Sequence, residues 1–306
     1  MTTDRDKVIS ASRRTDIPAW YTPWFLKQIR QQKFTTVNPF TRKPRQVNVS
    51  PENTHSIVFW SKNYGPFLDL DAHRILADMG FHLFFNFTIN STSPLLEPCL
   101  PDLDIRLDQA KVLAERFGPD AVAWRFDPIC FYTDDTCCEK NNLADFLYIA
   151  EAMAAMGITV CVTSFYDPYR KVDTRIRYLT RTGRAFICFT DPSPADKEQL
   201  ICRMAAQLEK KQIRLHLCCE AELYNAVKSK GENICENACI NGHLLKKLYG
   251  GIPEIRRDYG QRAKKGCRCT LAVDIGSYQD HPCFHNCLFC YANTEMDTRI
   301  KQGILQ

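Results

Sequence analysis

The sequence lacks the apolar segments that would take a chain into or across a membrane. Polar residues follow Met1 at positions 2–7 with no apolar signal region behind them, and no uninterrupted apolar run reaches membrane-spanning length. We therefore expect a cytoplasmic protein with no membrane contact. A strong charge of one sign is also missing, because the formal net charge is only +5 and the basic residues are spread along the chain. This balance permits an anionic substrate or nucleic acid without indicating either.

Cysteine, in contrast, is abundant, with 16 in 306 residues. Cytosolic thiols stay reduced, so this density indicates metal binding rather than disulfides. Free cysteine also packs as a small hydrophobic residue. We interpret five as core residues: Cys99, Cys130, Cys161, Cys188 and Cys202.

Three cysteines near the end of the chain share one short loop. Cys283, Cys287 and Cys290 have the spacing C-x-x-x-C-x-x-C. They provide three ligands for an iron-sulfur cluster and leave its fourth iron without a protein ligand. A zinc ion completed by another cysteine or by His281 or His285 is an alternative. Chance clustering of thiols is a second alternative.

This loop resembles the cluster loop of radical S-adenosylmethionine enzymes, with Phe289 just before the third cysteine and Tyr291 just after it. The resemblance implies a [4Fe-4S] cluster whose open iron binds the amino and carboxylate groups of S-adenosylmethionine. It also implies reductive cleavage to a 5′-deoxyadenosyl radical, with an electron from a reductant such as flavodoxin or ferredoxin. The chemistry would belong to the cofactor. Phe289, Ser12 and Arg14 are the predicted cofactor-binding residues, although the Gly-Gly-Glu-like turn of those enzymes is absent.

A second resemblance covers essentially the whole chain. The patterns at residues 10–18, 59–63, 124–129 and 267–293 resemble an uncharacterised prokaryotic family, a domain of unknown function. That family places a radical-S-adenosylmethionine-like cysteine cluster at its C-terminus. The resemblance implies a fold and a cluster, but no reaction.

Predicted strands alternate with predicted helices, which indicates parallel βα units. We predict a single α/β domain, 1–306, with a partial or complete TIM-like barrel. Residues 1–217 form its core, and the cysteine-rich residues 218–306 bind the cluster and close the barrel. Radical S-adenosylmethionine enzymes have their cluster loop after the first strand. Here a strand at about 269–275 feeds the loop and Val8 begins the next strand, which predicts a circular permutation relative to those enzymes.

Polar residues follow several predicted strands, where a barrel keeps its active site. Arg13 follows the first predicted strand. Arg125 and Asp127 lie two residues apart at the end of the strand that begins near Ala121, so their side chains point to the same face. These three are the predicted catalytic residues, and structural ion pairs are the alternative. The cluster loop is expected to face Arg13, Lys62, Arg125 and Asp167.

Six more cysteines precede the loop. Cys219, Cys239, Cys267 and Cys269 are the predicted ligands of a second cluster, since a full cluster takes four thiolates. A structural zinc is the alternative. The basic segment 255–265 either contacts nucleic-acid phosphates or forms a solvated face.

The predicted function is that of a radical S-adenosylmethionine enzyme acting on an unidentified substrate. One alternative is an iron-sulfur electron-transfer protein without catalysis. The other is a zinc-stabilised protein that binds nucleic acid or an anion.

Overall fold

The fold is built on one large parallel sheet. We describe it from a computed structural model, in which residues 6–37, 41 and 43–292 are described. The eight strands are β1 (Lys7–Ala11), β2 (Thr54–Ser61), β3 (His82–Thr88), β4 (Val122–Ile129), β5 (Val160–Phe165), β6 (Arg214–Leu217), β7 (Ile234–Glu236) and β8 (Val273–Asp274). Their order is β7-β6-β5-β4-β3-β2-β1-β8, and every neighbouring pair is parallel.

Each connection between consecutive strands contains at least one helix. The α-helices are Ile17–Trp20, Thr22–Arg30, Gly65–Asp69, Ala72–Asp78, Leu103–Phe117, Phe146–Ala155, Arg170–Arg181, Pro194–Glu209, Ala221–Val227 and Gly242–Tyr249, with 3₁₀ turns at Pro119–Ala121 and Ala263–Lys265. Local sequence explains several helix ends. Ser193 caps the helix that begins at Pro194, and Gly118 takes a φ of 85° after the helix that ends at Phe117.

Two small antiparallel sheets lie outside the large one. One is a hairpin, Lys33–Val37 paired with Pro44–Asn48. The other joins Phe131–Asp134 to Glu139–Asn141 and to Ile187–Thr190.

The two faces of the large sheet pack differently. On β3, Leu83, Phe85 and Phe87 join the main core with the helices, because alternate residues of a strand point to the same face. Phe84 points to the opposite face, where Val8, Val58 and Ala123 surround it. Cys267 and Cys269 pack on this second face, so the cysteine-rich part of the chain covers it.

The sheet is open. Among the described residues, β7 pairs with β6 alone and β8 with β1 alone. The α/β class and the position of β8 beside β1 are confirmed, whereas a TIM-like barrel is not shown, because the sheet is not closed. The predicted strand at 269–275 is reduced to two residues because the backbone before it bonds elsewhere: Thr270 N donates to Ile240 O, and Leu271 N to Arg256 O.

Burial corrects one assignment among the five cysteines expected in the core. Cys130 and Cys161 are buried, and Cys99 and Cys202 are half-buried. Cys188 is exposed, because it alternates with the buried Ile187 on an outer strand. No helix in the described residues is both long and apolar enough to cross a membrane. Residues 293–306 of the predicted cluster-binding part, including Asn293 of the family pattern, lie outside the described residues.

Candidate metal centre and active site

Asp274 at the end of β8 fixes the start of the three-cysteine loop. Its carboxylate accepts hydrogen bonds from Ser10 Oγ at 2.8 Å, Ser12 Oγ at 2.7 Å and Arg13 N at 2.8 Å. A side chain at Gly276 would collide with Ser12, so only glycine fits where the chain turns away. The loop therefore leaves the sheet directly beside the end of β1.

Arg175 holds the far end of the loop in place. From the helix Arg170–Arg181 it donates hydrogen bonds to the carbonyl oxygens of Cys287 at 3.3 Å, Leu288 at 2.8 Å and Cys290 at 3.1 Å. Leu288 N also donates to Leu96 O at 2.9 Å. These contacts fix the backbone of two of the three loop cysteines.

A cavity of about 320 Å³ lies at the carboxyl ends of the strands, bordered by the loop and the cysteine-rich part of the chain. Every residue predicted from the sequence for catalysis, cofactor binding or metal ligation lines this cavity. Lys62 and Asp167, which the loop was expected to face, also line it. The fold thus brings together residues that are separated by up to about 280 positions in the sequence.

A buried ion pair lies beside the central cysteine of the loop. Lys62 Nζ contacts Glu97 Oε1 at 2.5 Å, and Cys287 Sγ donates to the same oxygen at 3.8 Å. Burial lowers the pKa of Lys62, but the charge and hydrogen bond of Glu97, together with the charges of Cys287 and Asp127, outweigh it and raise the pKa. Burial also raises the pKa of the Cys287 thiol. The Lys62 ammonium lies 5.2 Å from the ring centre of Phe289, which is itself mostly buried.

The predicted catalytic pair on β4 is an ion pair pointing into the cavity. Arg125 Nη2 donates to Asp127 Oδ2 at 2.5 Å, and Ser164 Oγ donates to the other oxygen of Asp127 at 2.5 Å. Arg125 Nη1 also donates to Cys239 Sγ at 2.9 Å. One guanidinium therefore joins a carboxylate to a cysteine of the predicted second cluster.

The three residues predicted at the end of β1 differ in how their polar atoms are used. Ser12 bonds to Asp274, and Arg14 Nη1 donates to Val37 O at 3.2 Å and Gly276 O at 3.1 Å. Both therefore position the loop. Arg13 lies 3.5 Å from Asp258, and within the described part of the chain its buried Nη2 has no hydrogen-bond partner. Arg13 thus has a buried donor left for a ligand.

Five cysteines form a continuous ring of contacts on the other side of the cavity, which we call the thiol cluster: Cys218, Cys219, Cys239, Cys267 and Cys269. Cys218 Sγ lies 3.5 Å from Cys239 Sγ and 4.0 Å from Cys219 Sγ. Hydrogen bonds from Cys219 and Cys269 lower the pKa of Cys267, while those with Cys218 and Cys267 raise the pKa of Cys219. The protonation of each thiol in the ring therefore depends on that of its neighbours. The four predicted second-cluster ligands all belong to it, together with Cys218.

As these side chains are placed, no group of three or more His, Cys, Asp or Glu residues in the described ranges could hold a single metal ion. The two histidines considered as zinc ligands have other contacts. His285 Nε2 bonds to Asp16 Oδ2 at 2.8 Å and its Nδ1 faces Cys99 O at 3.4 Å. His281 packs against the ring of Trp24, with centroids 4.1 Å apart.

The basic segment 255–265 is largely paired with acids. Arg256 contacts Glu254, and Arg262 and Lys265 both contact Asp167, at 2.8 and 2.7 Å. These pairs neutralise charge that nucleic-acid phosphates would otherwise attract.

The sequence matches the profile of a family described as "Domain of unknown function (DUF1848)" over residues 8–292. The chain belongs to this family. No curated protein matches it. Membership of an uncharacterised family is thus confirmed, while the description of DUF1848 names no reaction and the likeness to radical S-adenosylmethionine enzymes stays a prediction.

Sequence reasoning missed four residues of this DUF1848 site: Glu97, Arg175, Cys218 and Asp274. Glu97 lies in a loop and Arg175 lies on a helix, and neither has a recognisable sequence motif around it. Cys218 and Asp274 carried a usable signal, because one adjoins a predicted ligand and the other immediately precedes the loop.

Proposed function

We propose that this protein is an iron-sulfur enzyme of the radical S-adenosylmethionine type. The observation that carries the proposal is the convergence of Cys283, Cys287 and Cys290 with two further groups of polar residues on one cavity at the carboxyl ends of the strands. Three loop thiols suit a [4Fe-4S] cluster with one open iron. In such a cluster each thiolate binds a different iron, so three sulfurs need not share one ion.

The strand order supports the same proposal. Counted from β8, the sheet runs β8, β1, β2 and onwards to β7, and the cysteine loop follows the first of these strands. This is the position of the cluster loop in radical S-adenosylmethionine enzymes, reached through a circular permutation. When bound, the cluster supplies an open iron for S-adenosylmethionine and the electron for its reductive cleavage.

The residues of the chain have separate tasks in this proposal. Arg175 and Asp274 hold the loop, and the buried Lys62 balances the charge of Glu97 beside Cys287. Arg13 offers its free N–H to an anionic group of the cofactor or substrate. Arg125 and Asp127 orient the substrate at the opposite wall.

Release of 5′-deoxyadenosine tests this function. The anaerobically reconstituted protein is mixed with S-adenosylmethionine and a strong reductant, and the nucleoside is quantified. We expect release by the wild type and by Cys137→Ala, whose thiol is exposed, and none by Cys287→Ala. Iron without nucleoside release would favour the electron-transfer protein, and zinc without iron would favour the binding protein.

A further inference from the structure

The thiol cluster has no task in the proposed cleavage of S-adenosylmethionine. Its sulfurs come from three separate segments: Cys218 and Cys219 follow β6, Cys239 follows β7, and Cys267 and Cys269 precede β8. These segments surround the gap between β7 and β8, where the sheet is open. A group that bound all three would join the two free edges.

Nitrogen donors point at the sulfurs. Cys239 Sγ accepts from Arg125 Nη1 at 2.9 Å and from Asn237 Nδ2 at 3.1 Å, and Cys269 Sγ accepts from Ile240 N at 3.5 Å. Such N–H donors stabilise the negative charge of a metal-bound thiolate and orient it.

Positive charge surrounds the same sulfurs. Arg13 interacts electrostatically with Cys269 and Cys239, and Arg262 interacts with Cys219 and Cys218. Together with Arg125, three guanidinium groups therefore interact with four of the five thiols. A cluster bound by four thiolates is anionic, and this arrangement compensates its charge.

The backbone at Cys219 gives an independent indication. Its φ is 62°, in the left-handed region that residues other than glycine rarely adopt. Strained residues of this kind concentrate at functional sites. Here the unusual conformation places the sulfur of Cys219 against Cys267, whereas its neighbour Cys218 contacts Cys239.

We propose that Cys219, Cys239, Cys267 and Cys269 bind a second [4Fe-4S] cluster, which fastens β7 to the segment leading into β8. Cys218 lies beside the cluster without ligating it. The four ligands are all supplied by the protein, so this cluster has no open iron, unlike the one proposed at the three-cysteine loop. The site is independent of whether S-adenosylmethionine is cleaved.

Metal content of the full chain, purified anaerobically, tests this site. Iron, acid-labile sulfide and zinc are measured in the wild type, in Cys283→Ala/Cys287→Ala/Cys290→Ala, and in Cys239→Ala/Cys267→Ala. We expect about eight irons in the wild type and about four in each variant, since each cluster contributes four. Cys218→Ala and the exposed control Cys137→Ala keep about eight.

The outcomes separate the two proposals. A triple loop variant with no iron, or with zinc alone, would overturn the second cluster. A wild type with about four irons, all retained by the triple variant, would support the second cluster and contradict the first. Loss of iron in Cys218→Ala would overturn this choice of ligands. If Cys239→Ala/Cys267→Ala does not fold, the triple variant alone decides.

Discussion

Buried charged side chains around the cavity each lie against a group of opposite charge. Lys62 pairs with Glu97, and Arg125 with Asp127. Removing one member of a buried pair leaves the other charge uncompensated, which costs about 3–5 kcal/mol. The stability of the cavity wall therefore depends on complete pairs.

Lys62→Met tests this dependence. Glu97, only 3% exposed, would lose its cation, so we expect the free energy of unfolding in urea to fall by about 3 kcal/mol or more. Lys111→Met is the matched control, because its partner Glu115 lies 4.0 Å away and both side chains are more than 60% exposed. The control should lose at most about 1 kcal/mol. Equal losses of unfolding free energy in the two variants would show that the buried Lys62–Glu97 pair stabilises the fold no more than an exposed pair does.

His216 on β6 predicts a dependence of stability on pH. Burial lowers its pKa to about 4, so the folded state keeps the ring neutral while the unfolded chain takes up a proton below about pH 6.5. The stability that the neutral, buried ring of His216 contributes is present above pH 6.5 and is lost as the pH falls towards 4. Between pH 7.5 and 5 we expect the wild type to lose about 2 kcal/mol more than His216→Gln in urea unfolding. Parallel losses in the two proteins would contradict this assignment.

At the scale of secondary-structure elements, the loop depends on the helix Arg170–Arg181. In Arg175→Ala three carbonyl oxygens lose a charged donor. Hydrogen bonds to charged groups contribute about 1.5–3 kcal/mol each, so we expect the amides of Leu288 and Cys290 to exchange at least about tenfold faster. Arg177→Ala on the same helix is the control, since Arg177 contacts only its own helix through Asp173 O among the bonds described. Unchanged exchange in Arg175→Ala would show that the loop is held by other contacts.

Elements with strong local signals could be predicted from the sequence. Apolar runs mark β1 to β5 in the sequence, and the alternation along β3 separates the residues of its two faces. β7 was missed because it has only three residues, and β8 was predicted too long because its preceding segment forms hydrogen bonds to distant residues. Metal-ligand candidates could be found because cysteine is distinctive, whereas Arg175 acts through backbone carbonyl oxygens whose position depends on the complete fold.

At the scale of the whole molecule, the cysteine-rich segments lie at the gap between β7 and β8, where the two edges of the sheet are not joined by hydrogen bonds. If the second cluster bridges this gap, its removal should loosen both edges. We expect iron chelation after oxidation to lower the melting temperature and to increase amide exchange in β7 and at residues 267–274, while β3 stays protected. In Cys239→Ala/Cys267→Ala, which lacks two ligands of the second cluster, the same treatment should change the melting temperature and the amide exchange of these segments little. An equal increase in amide exchange in all strands of the sheet, including β3, would contradict a cluster that stabilises only its two edges.

The most direct test of the central claim is an EPR spectrum of the anaerobically purified, dithionite-reduced protein, recorded with and without S-adenosylmethionine. The account predicts a reduced [4Fe-4S] signal that changes when S-adenosylmethionine is added, because one iron of the loop cluster is open. The triple loop variant should keep a signal that does not respond. A wild-type iron signal indifferent to S-adenosylmethionine, or a protein that contains zinc and no iron, would contradict the account.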